Sequence, residues 1–257
     1  MRKSASVAVL ASTAALCALA APAAHADKMK GDTRITNLTV NGGKDVVVGA
    51  GDKSVKVSFK ATDRSGIYRQ YGGVGLQLWR GTALKKAQAA IRADLKCSYT
   101  RTSATCSATV KLGALYPLYK NELAGTWKVH AWAIGNDGDI WQKFSAKTFS
   151  VKRAASMSAA ATPKPAKKGQ DVTVSGSLKR VDWRNGQYSA YGHQNATLQF
   201  RKKGAKAITN VKTAKAAANG SVKLNVKASA SGDYRWSVAG NVTTQAVTSG
   251  WIYVEVR

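Results

Sequence analysis

Apolar and polar residues alternate with a period of two along most of this chain. The clearest run is Ser54-Val55-Lys56-Val57-Ser58-Phe59-Lys60-Ala61, in which Val55, Val57 and Phe59 point one way and Lys56 and Lys60 the other. Successive side chains leave a strand on opposite faces, so this is the pattern of a half-buried strand. Similar runs recur at 34–40, 75–79, 97–106, 108–112, 127–134 and 140–149, and again at 172–178, 196–200, 208–212, 222–226, 234–238 and 251–256. Turn signals separate them, among them Asn41-Gly42-Gly43, Asn219-Gly220 and Ser231-Gly232-Asp233. Many short strands with regular turns predict all-β sandwiches. One stretch disagrees. At 82–95, Ala83, Leu84, Ala87, Ala90, Ile91 and Leu95 fall at helical spacing with Lys85, Lys86 and Arg92 outside, which fits a short helix inserted between strands.

A composition change divides the chain. Residues 153–169 are rich in Ala, Ser, Pro and Lys, as in a short extended connection, and part of it near 156–160 is placed to pair as the first strand of the second half. The expected organisation is a leader at 1–26, a first sandwich at 27–152, a linker at 153–165 and a second sandwich at 166–257.

The leader is read from Arg2 and Lys3, the apolar run at 7–21 and the small residues Ala24 and Ala26, the three parts of a secretory signal peptide cleaved after Ala26. The apolar run is shorter than the roughly 20 residues of a spanning helix, and no later stretch is apolar enough to cross a bilayer. The chain is therefore expected to be secreted and extracellular. Cleavage removes Cys17 and leaves Cys97 and Cys106 on either side of a polar turn, the position of a hairpin disulfide in an oxidising compartment.

Charge changes the picture next. The full chain carries +27; without residues 1–26 it has 38 basic and 13 acidic groups, a net of +25 shared by both halves. Such a field attracts polyanions and also keeps a protein in solution, and the sequence alone leaves both readings open. No nucleic-acid-binding motif accompanies it.

The second half resembles the immunoglobulin-like repeats of secreted actinobacterial proteins in Lys168-Gly169-Gln170-Asp171-Val172-Thr173-Val174-Ser175-Gly176, in 196–204, in Ala218-Asn219-Gly220-Ser221-Val222 and in Gly232-Asp233-Tyr234-Arg235-Trp236. The first half resembles a module often found before it, in Ile35-Thr36-Asn37, Ala61-Thr62-Asp63-Arg64-Ser65-Gly66-Ile67 and 118–129. The resemblance implies export and two immunoglobulin-like β-sandwich domains in tandem; it implies no activity, because sandwiches host many functions.

Catalysis is not expected. The exported chain has only His130 and His193, few carboxylates and none of the common nucleophile, zinc or phosphate-loop motifs. No cofactor or metal is expected either: Gly135-Asn136-Asp137-Gly138-Asp139 puts oxygen ligands close together and Asp63 falls in a loop, but the full calcium loop pattern is missing and the stretch reads more simply as a hairpin turn. The aromatic run across that turn is more specific. Alternation places Trp127, Val129, Ala131 and Ala133 on a core face, with Ile140 and Phe144 joining them. Lys128, His130, Trp132 and Ile134 then face outward, and a loop of even length would add Trp141 and Lys143. Trp132, Trp141, Lys128 and Lys143 are thus the candidate ligand-binding residues, suited to polysaccharide or anionic envelope polymers through stacking and cation–π contacts. The alternative is a spacer whose outer tryptophans are covered by neighbouring structure.

Overall fold

A computed structural model describes residues 26–257. The expected leader, apart from Ala26, lies outside the described residues. Eleven strands make up the first half: β1 (Lys28–Lys30), β2 (Arg34–Val40), β3 (Val46–Val48), β4 (Lys53–Thr62), β5 (Val74–Arg80), β6 (Ala89–Arg92), β7 (Lys96–Tyr99), β8 (Ser103–Ala114), β9 (Pro117–Leu118), β10 (Gly125–Ile134) and β11 (Ile140–Arg153). One sheet runs β2-β4-β8-β7 with β9 beside β8; the other runs β1-β11-β10-β5-β6, with β3 alongside β11 in parallel. This is the two-sheet arrangement of an immunoglobulin-like sandwich, with hairpin neighbours inside each sheet and a parallel pair closing one edge. Its core is filled from both sheets by Phe59, Leu76, Leu78, Leu112, Trp127 and Val129, all nearly or fully buried.

Ten strands complete the second half: β12 (Ala155–Met157), β13 (Ala160–Thr162), β14 (Asp171–Asp182), β15 (Gln187–Ala190), β16 (Asn195–Lys202), β17 (Thr209–Lys215), β18 (Ser221–Lys227), β19 (Gly232–Val238), β20 (Val247–Thr248) and β21 (Ile252–Val254). β14 pairs with β12, β13, β15 and β18, and faces a sheet in which β17-β16-β19 continues into β20 and β21. Trp236, Val172, Val174, Leu178 and Leu198 fill this second core. The chain is two immunoglobulin-like sandwiches in tandem, and no helix among the described residues is long and apolar enough to cross a membrane.

One expectation needs correction. The segment 82–95 holds no α-helix: a single 3-10 turn at Leu84–Lys86 leads into β6, which pairs with β5. The open edge of β5 presents unpaired N–H and C=O groups, and pairing satisfies them where a helix would not. A segment this short would also be marginal as a helix without a packing face. The stretch 153–165 supplies β12 and β13 to the second sandwich, in keeping with the pairing expected near 156–160, and its first residues to a joint between the two.

That joint is built on Trp183, just past β14 and fully buried in the first core together with Val181 and Ala154. Its indole N–H donates to the Val48 carbonyl at 3.3 Å, its backbone N–H to Asn121 Oδ1 at 2.9 Å, and its carbonyl accepts from Leu115 N at 3.0 Å. Arg153, 7% exposed, donates from Nε to the Val181 carbonyl at 2.7 Å. Burial pushes its guanidinium down to about 10, with Arg180 adding to the effect and Asp182 opposing it. Asp182 accepts from the Arg184 side chain, from Arg184 N at 3.0 Å and from Asn121 Nδ2 at 3.0 Å. The Arg184 hydrogen bond, outweighing the cost of burial, holds this carboxyl well below the usual carboxylate range. A folded value below the unfolded 3.8 means that the stabilisation is fully present above that pH and is lost as pH falls through the folded value. The stability difference between wild type and Asp182→Asn should therefore be constant from pH 7 to about 5 and shrink below about pH 4. Tryptophan fluorescence during denaturant unfolding at each pH measures it, and a difference that stays constant down to pH 2 would contradict this assignment.

Candidate ligand-binding face

The hairpin β10–β11 decides which aromatic residues reach the surface. Ile134 pairs with Ile140, enclosing a five-residue connection at 135–139, so Ala133 stands opposite Trp141 and Trp132 opposite Gln142. Directly paired residues share a face. Trp141 therefore follows Ala131 and Ala133 into the core side and is 8% exposed. The expected outward pair of Trp132 and Trp141 is split because the connection has an odd number of residues. Lys143, opposite Ala131, goes with Trp141 and rests its ammonium 5.7 Å from that ring. Phe144, expected in the core, turns outward with Gln142. Lys128 and Trp132 keep their expected outer positions.

The outer face of β5, β10 and β11 is paved with rings. His130 stacks on Phe144 at 4.5 Å and 7° and meets Trp132 at 4.9 Å, while its Nε2 lies 3.0 Å from Gln142 Nε2. Trp79, opposite Lys128, donates its indole N–H to the Phe144 carbonyl at 2.8 Å and takes the Lys128 ammonium over its ring at 4.6 Å. Trp132 lies flat across Gly75, where a Cβ would come within 1.9 Å of the indole, and donates to the Gly72 carbonyl at 2.9 Å. Only glycine at that paired position leaves room for the ring.

Beyond Trp132 the row opens to solvent. The Arg92 guanidinium stands 5.5 Å from the Trp132 ring and 5.4 Å from the Tyr71 ring, and Tyr71 is 92% exposed. Arg69 lies over Tyr99 at 5.3 Å. Arg69, Gln70, Tyr71, Gly75, Arg92 and Tyr99, with the carboxylate Asp94, line a hollow of about 330 Å³. Across the β6 edge, Arg92 also lines a second hollow of about 450 Å³ with Ile91, Lys111, Tyr116, Pro117 and Tyr119. Alternation missed Tyr71, Arg92, Tyr116 and Tyr119 because none sits on the hairpin that carried the expected site. The available signal was composition: Tyr68-Arg69-Gln70-Tyr71-Gly72-Gly73 places large rings in a loop, outside any strand pattern that would bury them. Chemically, this surface offers planar rings for stacking and cations held beside them, each such contact worth about 0.5–1 kcal/mol at an exposed position.

The Asp137 turn also gains neighbours. Asp32, Asp63, Asp137 and Asp139 bring one oxygen each to within 4.8 Å of one another. Asp63 is buried and accepts from Ser65 N at 2.8 Å, Ser65 Oγ at 2.6 Å and the Thr33 hydroxyl. Burial opposes its charge, yet the hydrogen bonds from Ser65 and Thr33 together hold its carboxyl below the ordinary value. Arg64 Nε stands 3.4 Å from Asp32 as an exposed counter-charge. Hard oxygen donors in such a group could hold a divalent cation of calcium type. The hairpin turn expected from sequence is present, and Asp32 is the member that sequence spacing did not reveal. On the opposite sheet, Cys97 pairs with Cys106 in register and forms the expected disulfide, with Cα atoms 4.1 Å apart.

No family model matches the chain, and no curated protein does. Among solved structures, the chain is similar to the D00–D0 domain of intimin at 15% identity and TM-score 0.27, covering 84% of this chain and 98% of that one. It is similar to domains A168–A170 of titin at 12% identity and TM-score 0.25, covering 89% and 68%. It is also similar to the human OSCAR ligand-binding domain at 13% and 0.27, covering 80% and 92%. At these scores the likeness carries no argument about function.

Proposed function

We propose that this chain is an exported binding module whose first sandwich engages a glycan polymer bearing acidic groups. The observation that carries this reading is Arg92, set between the rings of Trp132 and the open Tyr71 beside a polar hollow. A sugar ring can stack its C–H face on Tyr71 while its acidic group meets the Arg92 guanidinium. Lys128 and the net positive charge add long-range attraction. Trp141 and Lys143 lie on the core side and have no part in it. Export by a cleaved leader, and kinship with secreted actinobacterial repeats, belong to the same proposal; the disulfide is compatible with them.

The test is affinity for polygalacturonate, with neutral dextran as the counterpart. The wild type should bind the acidic polymer at low salt and release it as the screening length falls from about 10 Å at 0.1 M to about 3 Å at 1 M. Tyr71→Ala combined with Arg92→Ala should weaken binding about tenfold, the equivalent of two exposed contacts, while the melting temperature stays put because both side chains are exposed. Unchanged affinity in that variant, or equal binding of dextran, would overturn the reading. No binding by the wild type would favour a spacer role.

A further inference from the structure

The second sandwich carries a corresponding cluster on its corresponding sheet. β16, β19 and β21 stand in the second domain where β5, β10 and β11 stand in the first. Register places Gln199 opposite Arg235 and Arg201 opposite Asp233, on the face away from buried Leu198 and Trp236. Trp251, just before β21, receives both guanidinium groups, with Arg201 Cζ 4.5 Å and Arg235 Cζ 4.3 Å from its ring centroid. Arg201 pairs with Asp233 at 3.0 Å. Arg235 instead donates from Nε to Gln199 Oε1 at 2.8 Å, and Gln199 Nε2 continues to Asn210 Oδ1 at 3.0 Å. Among the described residues Arg235 makes no ion pair. Exposed Lys203 lies over the Tyr253 ring at 6.0 Å and has Glu255 as its acidic neighbour.

This arrangement is poorly explained by stability alone. Two like charges are brought to one ring, and only Arg201 has a carboxylate partner, Asp233. Such repulsion is relieved when an anion arrives. The aromatic ring and the amide of Gln199 fix the guanidinium groups beforehand, so little side-chain freedom is lost on binding. The planar donors suit a carboxylate or phosphate presented in a fork, and the flat polar face suits the sugar that bears it.

We propose that Trp251, Arg201, Arg235 and Gln199 form a second binding site for the same acidic glycan, so that one chain grips two segments of one polymer. This rests on the reading of the first domain for its ligand class. Linking two sites on one chain makes the second contact intramolecular and raises the apparent affinity for a long polymer above that of either site.

The experiment uses the full exported chain with two probes, long polygalacturonate and its trimer. Three variants are compared with wild type: Tyr71→Ala/Arg92→Ala, Arg201→Gln/Arg235→Gln, and all four together. Calorimetry with the trimer should give two sites in the wild type, one in each double variant and none in the quadruple variant. On the long polymer each double variant should lose at least tenfold in affinity. If the trimer binds once and the Arg201→Gln/Arg235→Gln chain matches wild type, the second site is overturned and the first stands. If only the Arg201→Gln/Arg235→Gln chain loses binding, the first site falls and the second stands. If the wild type binds no trimer, or binds duplex DNA as tightly as polygalacturonate, the glycan assignment fails for both. Should the Gln variants lower the melting temperature, Arg235→Lys keeps the charge without the planar fork. It should weaken trimer binding severalfold at that site with the fold intact, and an unchanged affinity there would count against the proposal.

Discussion

Trp183→Ala should destabilise the chain by about 3–5 kcal/mol, the range for deleting a large buried aromatic side chain. The position is unusual because the residue belongs to the second half of the sequence but is buried in the first core. The substitution removes its packing and also leaves the Val48 carbonyl without the indole donor. A second effect is expected on cooperativity. Wild type should unfold in one transition, because the joint ties the two sandwiches through Trp183, Arg153 and Asp182; the variant should show two. Denaturant unfolding followed by fluorescence and by circular dichroism separates these outcomes, since the two signals should coincide only in wild type. Trp183→Phe should recover most of the loss, because it restores ring volume without the N–H. A cost below about 1 kcal/mol for Trp183→Ala would mean that the residue is not packed as described.

Loss of the Cys97–Cys106 disulfide should cost about 2–3 kcal/mol. The closed loop is short, with a sequence separation of 9, so the chain-entropy effect on the unfolded state is modest. The local consequence should be larger than the global one. β7 is an edge strand held to β8 over four paired residues, and Cys97 and Tyr99 line the same hollow as Tyr71 and Arg92. Reduction, or Cys97→Ala/Cys106→Ala, should lower the unfolding midpoint and loosen amide protection in β7 more than in β4 or β10. Hydrogen exchange reads the second effect. Identical midpoints for oxidised and reduced protein would exclude a stabilising bridge.

Much of the architecture was legible because a sheet with one wet face writes itself as alternation. Val55, Val57 and Phe59 are buried and Lys56 and Lys60 exposed, as their spacing requires. The disulfide was legible from elimination and hairpin spacing. The segment 82–95 was misread because small apolar residues at helical spacing also suit a short edge strand; what decided between them was the open edge of β5, which lies elsewhere in the sequence. The candidate site was legible in kind and only partly in place. Trp132 and Lys128 were assigned to the correct face, whereas Trp141, Lys143 and Phe144 were inverted by the parity of one turn.

By itself the sequence determined the all-β class, the division into two sandwiches, the pairing of Cys97 with Cys106 across a hairpin and the excess of positive charge, because each follows from local period, composition or spacing. The tertiary structure alone decided which rings meet which cations. Register turned Trp141 inward, the bare backbone of Gly75 let Trp132 lie flat, and strand pairing carried Arg92 to a place between Trp132 and Tyr71. It also brought Asp32 to the Asp137 turn and Trp183 into a core more than a hundred residues away from Val48, whose carbonyl it meets. These are contacts between segments distant in sequence, set by a one-residue choice of register and by the room that neighbouring side chains leave, and neither is recorded in the order of residues along a single strand.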